Sequence, residues 1–235
     1  MKTAWIICRR ELGAYFASPM AYIILAGFVA FTGFLFFNSF FTVKQARLDG
    51  LFHALPLVYL FFAPAMAMRL IAEERDLGTI ELLLTMPVRD REVVLGKYLA
   101  ALIMLMVALA ATLPFAYTVS RLGDLDLGPV IGGYLGALLL GGLYLAAGLL
   151  ASSVTREQVI AFIVGLILCF AVYALTWVVD AGTAGGGIVM YLSPAFHFGN
   201  LSRGYVELRS VVYFVSGIAL FVLLAVQVLE ARKWG

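Results

Sequence analysis

The chain has 235 residues, of which 63% are hydrophobic and 13% charged, with a mean hydropathy of +1.02 and a net charge of +2. A soluble domain carries about 25% charged residues, and a chain this apolar lacks the polar groups to cover a water-exposed surface. The composition excludes a water-soluble protein and defines an integral membrane protein. Cys8 and Cys169 form no CxxC and no metal-ligand spacing, so they read as small apolar residues.

In chain order, residues 3–16 come first. Trp5, Cys8, Leu12 and Tyr15/Phe16 recur at helical spacing, with Lys2, Arg9 and Arg10 between them. This pattern predicts an amphipathic helix lying on the inner membrane surface, in contact with lipid. No cleaved signal is expected, because the apolar run from Pro19 is too long for an h-region and lacks a small-residue cleavage site. A spanning helix needs about 20 apolar residues. Six segments qualify: 20–42, 52–72, 93–119, 129–152, 158–180 and 210–230. The expected fold is all-α, with six transmembrane helices in a single domain over 1–235. Residues 1–18 are its interfacial helix, and 181–209 form an extracytoplasmic segment.

Six spans put both termini on one side. With the termini inside, eleven Lys and Arg residues fall in inner segments and five in outer ones. The positive-inside rule then predicts cytoplasmic termini. Ionisable residues are nearly absent from the middle of every span, which argues against a proton pump, an antiporter or a channel with a charged filter. Asn38, Asp180, His53 and His197 fall near outer ends, and both histidines read as solvated or hydrogen-bonded structural residues. Pro56 and Pro64 lie in the second span, where a kink at Pro64 would aim the chain that follows. In the fourth span Gly128, Gly132 and Gly136, like Gly133, Ala137 and Gly141, fall four apart. Such rows permit close helix approach, either within one subunit or between two.

Residues 69–97, which begin "RLIAEERDLGTIELLLTMPV", hold eleven of the thirty Lys, Arg, Asp and Glu residues. Glu73, Glu74, Arg75 and Asp76 close the second span. Gly78 permits a sharp change of direction. Ile80, Leu82, Leu83 and Leu84 then form an apolar run outside the membrane, beside the polar Thr79 and Glu81, and Pro87 ends it. A solvated loop has no need of such a run, whereas a helix that docks into another protein does.

These residues resemble the permease subunits of type 2 ABC exporters, and within them the gliding-motility (GldF-like) and copper-processing (NosY-like) subgroup. The motif stands here as Glu73, Glu74, Gly78, Thr79, Glu81, Leu82 to Thr85, Pro87 and Val88, then Val94 to Lys97. "RRELGAYFASPMAYI" (9–23) and "LSPAFHFGNLSRGYVELRSVVYF" (192–214) agree with it. The resemblance implies the type 2 exporter fold, with 73–90 as the coupling helix that rests in a groove of a separate ATPase subunit. It carries that role to Glu73, Glu74, Gly78, Thr79, Glu81, Leu82, Leu83 and Pro87, and it brings Arg10 and Glu11 to the same partner. It further implies two ATPase copies, a second permease copy, an inner-membrane location and room for an extracytoplasmic accessory subunit. Nucleic acid is not expected as a partner.

The chain has no P-loop. Its only Gly-Lys, Gly96-Lys97, is followed by Tyr98 where Ser or Thr is required, and Arg91 stands where the first glycine should be. No cofactor and no catalytic residue is expected in the chain itself, and ATP and Mg belong to the partner. Export of an unidentified substrate is the main functional expectation. The alternative is a mechanical or anchoring subunit that drives an extracytoplasmic partner through 181–209. An intramembrane enzyme or haem anchor would need paired acids or histidines at membrane depth, which the sequence does not offer.

Overall fold

A computed structural model describes residues 2–43, 47–78, 89–123, 126–180 and 191–231. Among them are ten bounded α-helices and no strand. They are α1 (Lys2–Ala17), α2 (Pro19–Val43), α3 (Asp49–Ala67), α4 (Arg69–Asp76), α5 (Asp90–Ala110), α6 (Leu113–Leu122), α7 (Leu127–Val154), α8 (Gln158–Asp180), α9 (Pro194–Ser202) and α10 (Leu208–Ala231). Six helical stretches are long and apolar enough to cross a membrane, with α3–α4 and α5–α6 each counting as one. The fold is therefore all-α with six candidate spans.

Local chemistry explains where several helices begin and end. Pro19 starts α2 and Pro194 starts α9, where a missing N–H costs nothing. Asp126 caps α7 by accepting from the Gly128 N–H at 3.1 Å. Asp90 and Glu92 fall in the first turn of α5, facing the positive end of its dipole. The third span is interrupted, where the sequence predicts a continuous helix over 93–119. Pro114 has no N–H to give to the preceding turn, so the ladder breaks at Ala111–Thr112. Thr112 covers part of the break, donating from Oγ1 to the Leu109 carbonyl at 2.7 Å.

The fourth span, α7, is the centre of the bundle. It packs against α3, α5, α8, α9 and α10 and is mostly buried, whereas α2, α8 and α10 leave most of their surface outward. Its glycines from Gly132 onward face neighbours within the chain. A Cβ on Gly132 would lie 2.3 Å from the Leu201 carbonyl oxygen, and one on Gly133 2.2 Å from the Phe52 ring. Gly141 faces Leu105 and Tyr59, and Gly148 faces Ala67. Both small-residue rows therefore seat α3, α5 and α9 of the same subunit.

At one end of the bundle α9 sits over α7. His197 is buried there, its Nε2 donating to the Tyr191 carbonyl at 3.0 Å and its Nδ1 3.1 Å from Ser210 Oγ. Its ring stacks on Tyr213 at 4.2 Å. It is a hydrogen-bonded structural residue, while His53 is exposed. The opposite end carries α1, α4, the start of α5 and most of the ion pairs.

Candidate functional site

The charged end is assembled by a close approach of α1 to α5. Gly96 makes it possible: a Cβ there would lie 2.7 Å from the Ala4 carbonyl and 2.9 Å from Ile7 Cβ. With no side chain at 96, Ala4, Ile7 and Cys8 of α1 bury against the bundle. The next residue on α5, Lys97, is thereby brought under α1. The helical stripe expected to face lipid is divided: Cys8 is buried and Tyr15 bonds inward, while Trp5 and Phe16 point away from the protein.

Lys97 is 1% exposed, and its ammonium reaches Glu11 Oε1 at 3.1 Å and Glu74 Oε1 at 3.0 Å. Arg10 Nη2 donates to the same two oxygens, at 2.9 Å to Glu11 and 3.0 Å to Glu74. Two cations thus bridge two carboxylates in an alternating square. Lys97 forms its floor and the half-exposed Arg10 its rim. A buried charge is tolerated only when it is paired and hydrogen-bonded, and this arrangement satisfies that condition with no net charge. Arg10 holds its proton more firmly than an ordinary arginine, chiefly through the hydrogen bond to Glu11, with burial opposing. The Cys8 thiol is pushed up by burial and then by the Glu11 charge, so it stays protonated at neutral pH.

The square fastens three helices together: α1 through Arg10 and Glu11, α4 through Glu74, and α5 through Lys97. Further contacts fix α4 on its other sides. Arg69 forms a two-pronged pair with Glu73, at 2.9 and 2.8 Å, and donates to Ser18 Oγ at the α1–α2 corner at 3.1 Å. Arg75 reaches the Thr155 carbonyl at the end of α7 at 3.4 Å. Glu73 and Glu74, singled out in the sequence as docking residues, are thus engaged within their own chain.

Gly78 ends this element in the left-handed region at φ +68, with nothing within 4 Å of the Cβ position. It is required for its backbone conformation and not for space. Thr79, Glu81, Leu82, Leu83 and Pro87 lie outside the described residues. What the structure brings together is the frame on both sides of 79–88: α1, the whole of α4, and the first two turns of α5. Sequence reasoning missed Lys97, Arg69 and Ser18 as members of this frame. Lys97 carried a readable signal, being a lysine about one turn inside an apolar run and directly after a glycine. One of the partners that neutralise it, Glu11, is 86 residues away, and nothing in the sequence pairs the two.

A bundle of six apolar spans with a charged frame at one end defines a multi-pass membrane protein. The chain belongs to the ABC-2 transporter family: the family model described as ABC-2 family transporter protein matches residues 25–226, most of its length. Membership makes it a membrane-transport permease component and implies an ABC ATPase subunit as its partner. No curated protein gave a match to the chain.

Proposed function

We propose that the chain is the permease half of an ATP-driven exporter, and that 73–90 is the element through which a separate ATPase drives it. The observation that carries this reading is the alternating square of Arg10, Glu11, Glu74 and Lys97. It joins the two spans flanking 79–88 to α1, so a push on the segment between them reaches all three helices at once. Glu73 and Glu74 act here by positioning the segment, and Gly78 by turning the chain into it. Thr79, Glu81, Leu82, Leu83 and Pro87 supply the surface that meets the ATPase, with ATP and Mg held by that partner. Two permease copies, each with six spans, and two ATPases complete the assembly in the inner membrane, with the termini of each permease in the cytoplasm. The motif of residues 73–97 supports the gliding-motility and copper-processing subgroup.

A second reading has a specific observation in its favour. Tyr191, Leu192, Tyr205, Val206 and Leu208 are exposed on the side of the bundle away from the charged end. In that reading the same coupling drives an extracytoplasmic partner seated on these residues, and no substrate crosses.

The test is purification of the tagged chain in mild detergent, with a photocrosslinking residue at Thr79 or Glu81, and mass spectrometry of what is captured. The expected result is a P-loop ATPase joined at both positions. A Gly78→Val variant should insert in the membrane normally and lose most of the ATP turnover that the wild-type permease stimulates. Absence of any ATPase, with or without crosslinking, overturns the coupling reading. Capture of a large extracytoplasmic subunit together with the ATPase selects the second reading over export.

A further inference from the structure

The second span is broken one turn after Pro64, not at it. The helix runs through Pro56 and Pro64, with the Met68 N–H bonded to the Pro64 carbonyl at 2.8 Å, and its ladder is interrupted at Met68 between α3 and α4. A helix break buried in a bundle leaves backbone groups that must find other partners. Here side chains from two other helices bond several of the backbone groups around the break. Ser152 of α7, itself fully buried, accepts from the N–H groups of Ile71 and Ala72 at 3.0 Å each and donates to the Met68 carbonyl at 2.9 Å. That uses the one donor and both acceptor positions of a hydroxyl. Tyr15 of α1 donates to the Met66 carbonyl at 2.7 Å from the other side. One turn before Ser152 on the same face of α7, Gly148 lets α7 close on α3, since a Cβ there would lie 2.8 Å from Ala67 Cβ.

We propose that Ser152 and Tyr15 are the pins of a hinge at Ala67–Met68, about which α4 turns as a unit to pass motion between segment 79–88 and the bundle. The inference rests on the coupling reading above and adds to it where the motion pivots. Both pins are hydroxyls that bond backbone, so α4 is held by directional contacts rather than by a continuous helical ladder. Such contacts can lengthen or re-form as α4 tilts, which a continuous helix resists. Burial raises the Tyr15 hydroxyl well above its ordinary range, so it remains a neutral donor. Both residues position the coupling segment and touch no substrate.

The neighbouring serine supplies a matched control. Ser153 is equally buried, but its Oγ donates to Leu150 within α7 at 2.7 Å. Spin labels at Leu77→Cys and Gln227→Cys report α4 against α10, because both positions are exposed whereas the native Cys8 and Cys169 are buried. In the purified permease, Ser152→Ala and Tyr15→Phe should each broaden the distance distribution, and Ser153→Ala should leave it as in the wild type. In the complex with its ATPase, Ser152→Ala should lower permease-stimulated kcat about fivefold or more, the effect of losing a buried hydrogen-bond partner. The KM for ATP should not move, since that site is on the partner. An unchanged distribution in Ser152→Ala, or equal effects of Ser152→Ala and Ser153→Ala, overturns the hinge. Failure of the wild-type complex to stimulate ATP turnover would instead overturn the coupling reading. The distance measurement on the permease alone would still decide whether the hinge exists.

Discussion

Lys97 shows how much a single charge can fasten. Its ammonium is buried beneath Glu11 and Glu74, while the second cation of the square, Arg10, is 55% exposed. The two positions therefore differ in consequence. Lys97→Met should destabilise the protein by about 3 kcal/mol, the lower end for a broken buried pair, because Glu11 and Glu74 keep some access to water. Arg10→Ala should cost less than about 1 kcal/mol, as expected for a solvated partner. Thermal unfolding in detergent measures both. Limited proteolysis near residue 18 should show α1 released in the first variant and retained in the second.

At the scale of the element, α7 works as a spine because it is lined with glycine and small residues rather than with bulk. Close approach by α3 and α9 needs the absence of Cβ atoms at Gly132 and Gly133, and the obstacle at Gly132 is a backbone carbonyl that cannot rotate away. Gly132→Ala should accordingly cost about 1–3 kcal/mol as an overpacking substitution. It should loosen α9, seen as faster amide exchange across 194–202. Gly128, whose Cβ position meets only Asp126 Oδ1 at 3.5 Å, is the internal control and should tolerate alanine. The interrupted second and third spans belong to this scale too. One break is covered by Thr112 of its own chain turn, and the other is pinned from α1 and α7.

For the whole molecule, most ion pairs among the described residues gather at one end and the aromatic cover of α9 lies at the other. An even number of spans places α1 and the end of α10 on the same side of the membrane. Arg91 of α5 and Glu230 of α10 approach to 3.9 Å at that end. We propose that this end faces the cytoplasm, on its excess of Lys and Arg. In intact cells, a membrane-impermeant thiol reagent should label Asp49→Cys and leave Leu77→Cys unlabelled until the membrane is opened. The reverse pattern would invert the orientation and remove 79–88 from reach of a cytoplasmic ATPase.

The amino-acid sequence by itself determined the membrane class, the six apolar segments, the concentration of charge at 69–97 and the motif that marks the family. Each of these is a property of consecutive residues. Hydropathy summed over about 20 positions decides whether a helix is stable in lipid, whatever its neighbours. The sequence also located Gly78, because a left-handed turn is a local demand on one residue. Only the tertiary structure decided what Lys97 is paired with, which helices the α7 glycines admit, and that Ser152 closes a break in another span. Those contacts join Lys97 to Glu11, Gly132 to Leu201 and Ser152 to Ile71, which are 86, 69 and 81 positions apart. They depend on which faces of two helices meet, and period and composition leave that open. The stripe on α1 marks the boundary between the two kinds of knowledge. Its spacing predicted a helix, but an apolar face offers the same pattern to lipid and to protein. The close approach at Gly96 turned Cys8 and Tyr15 towards the bundle and left Trp5 and Phe16 outside.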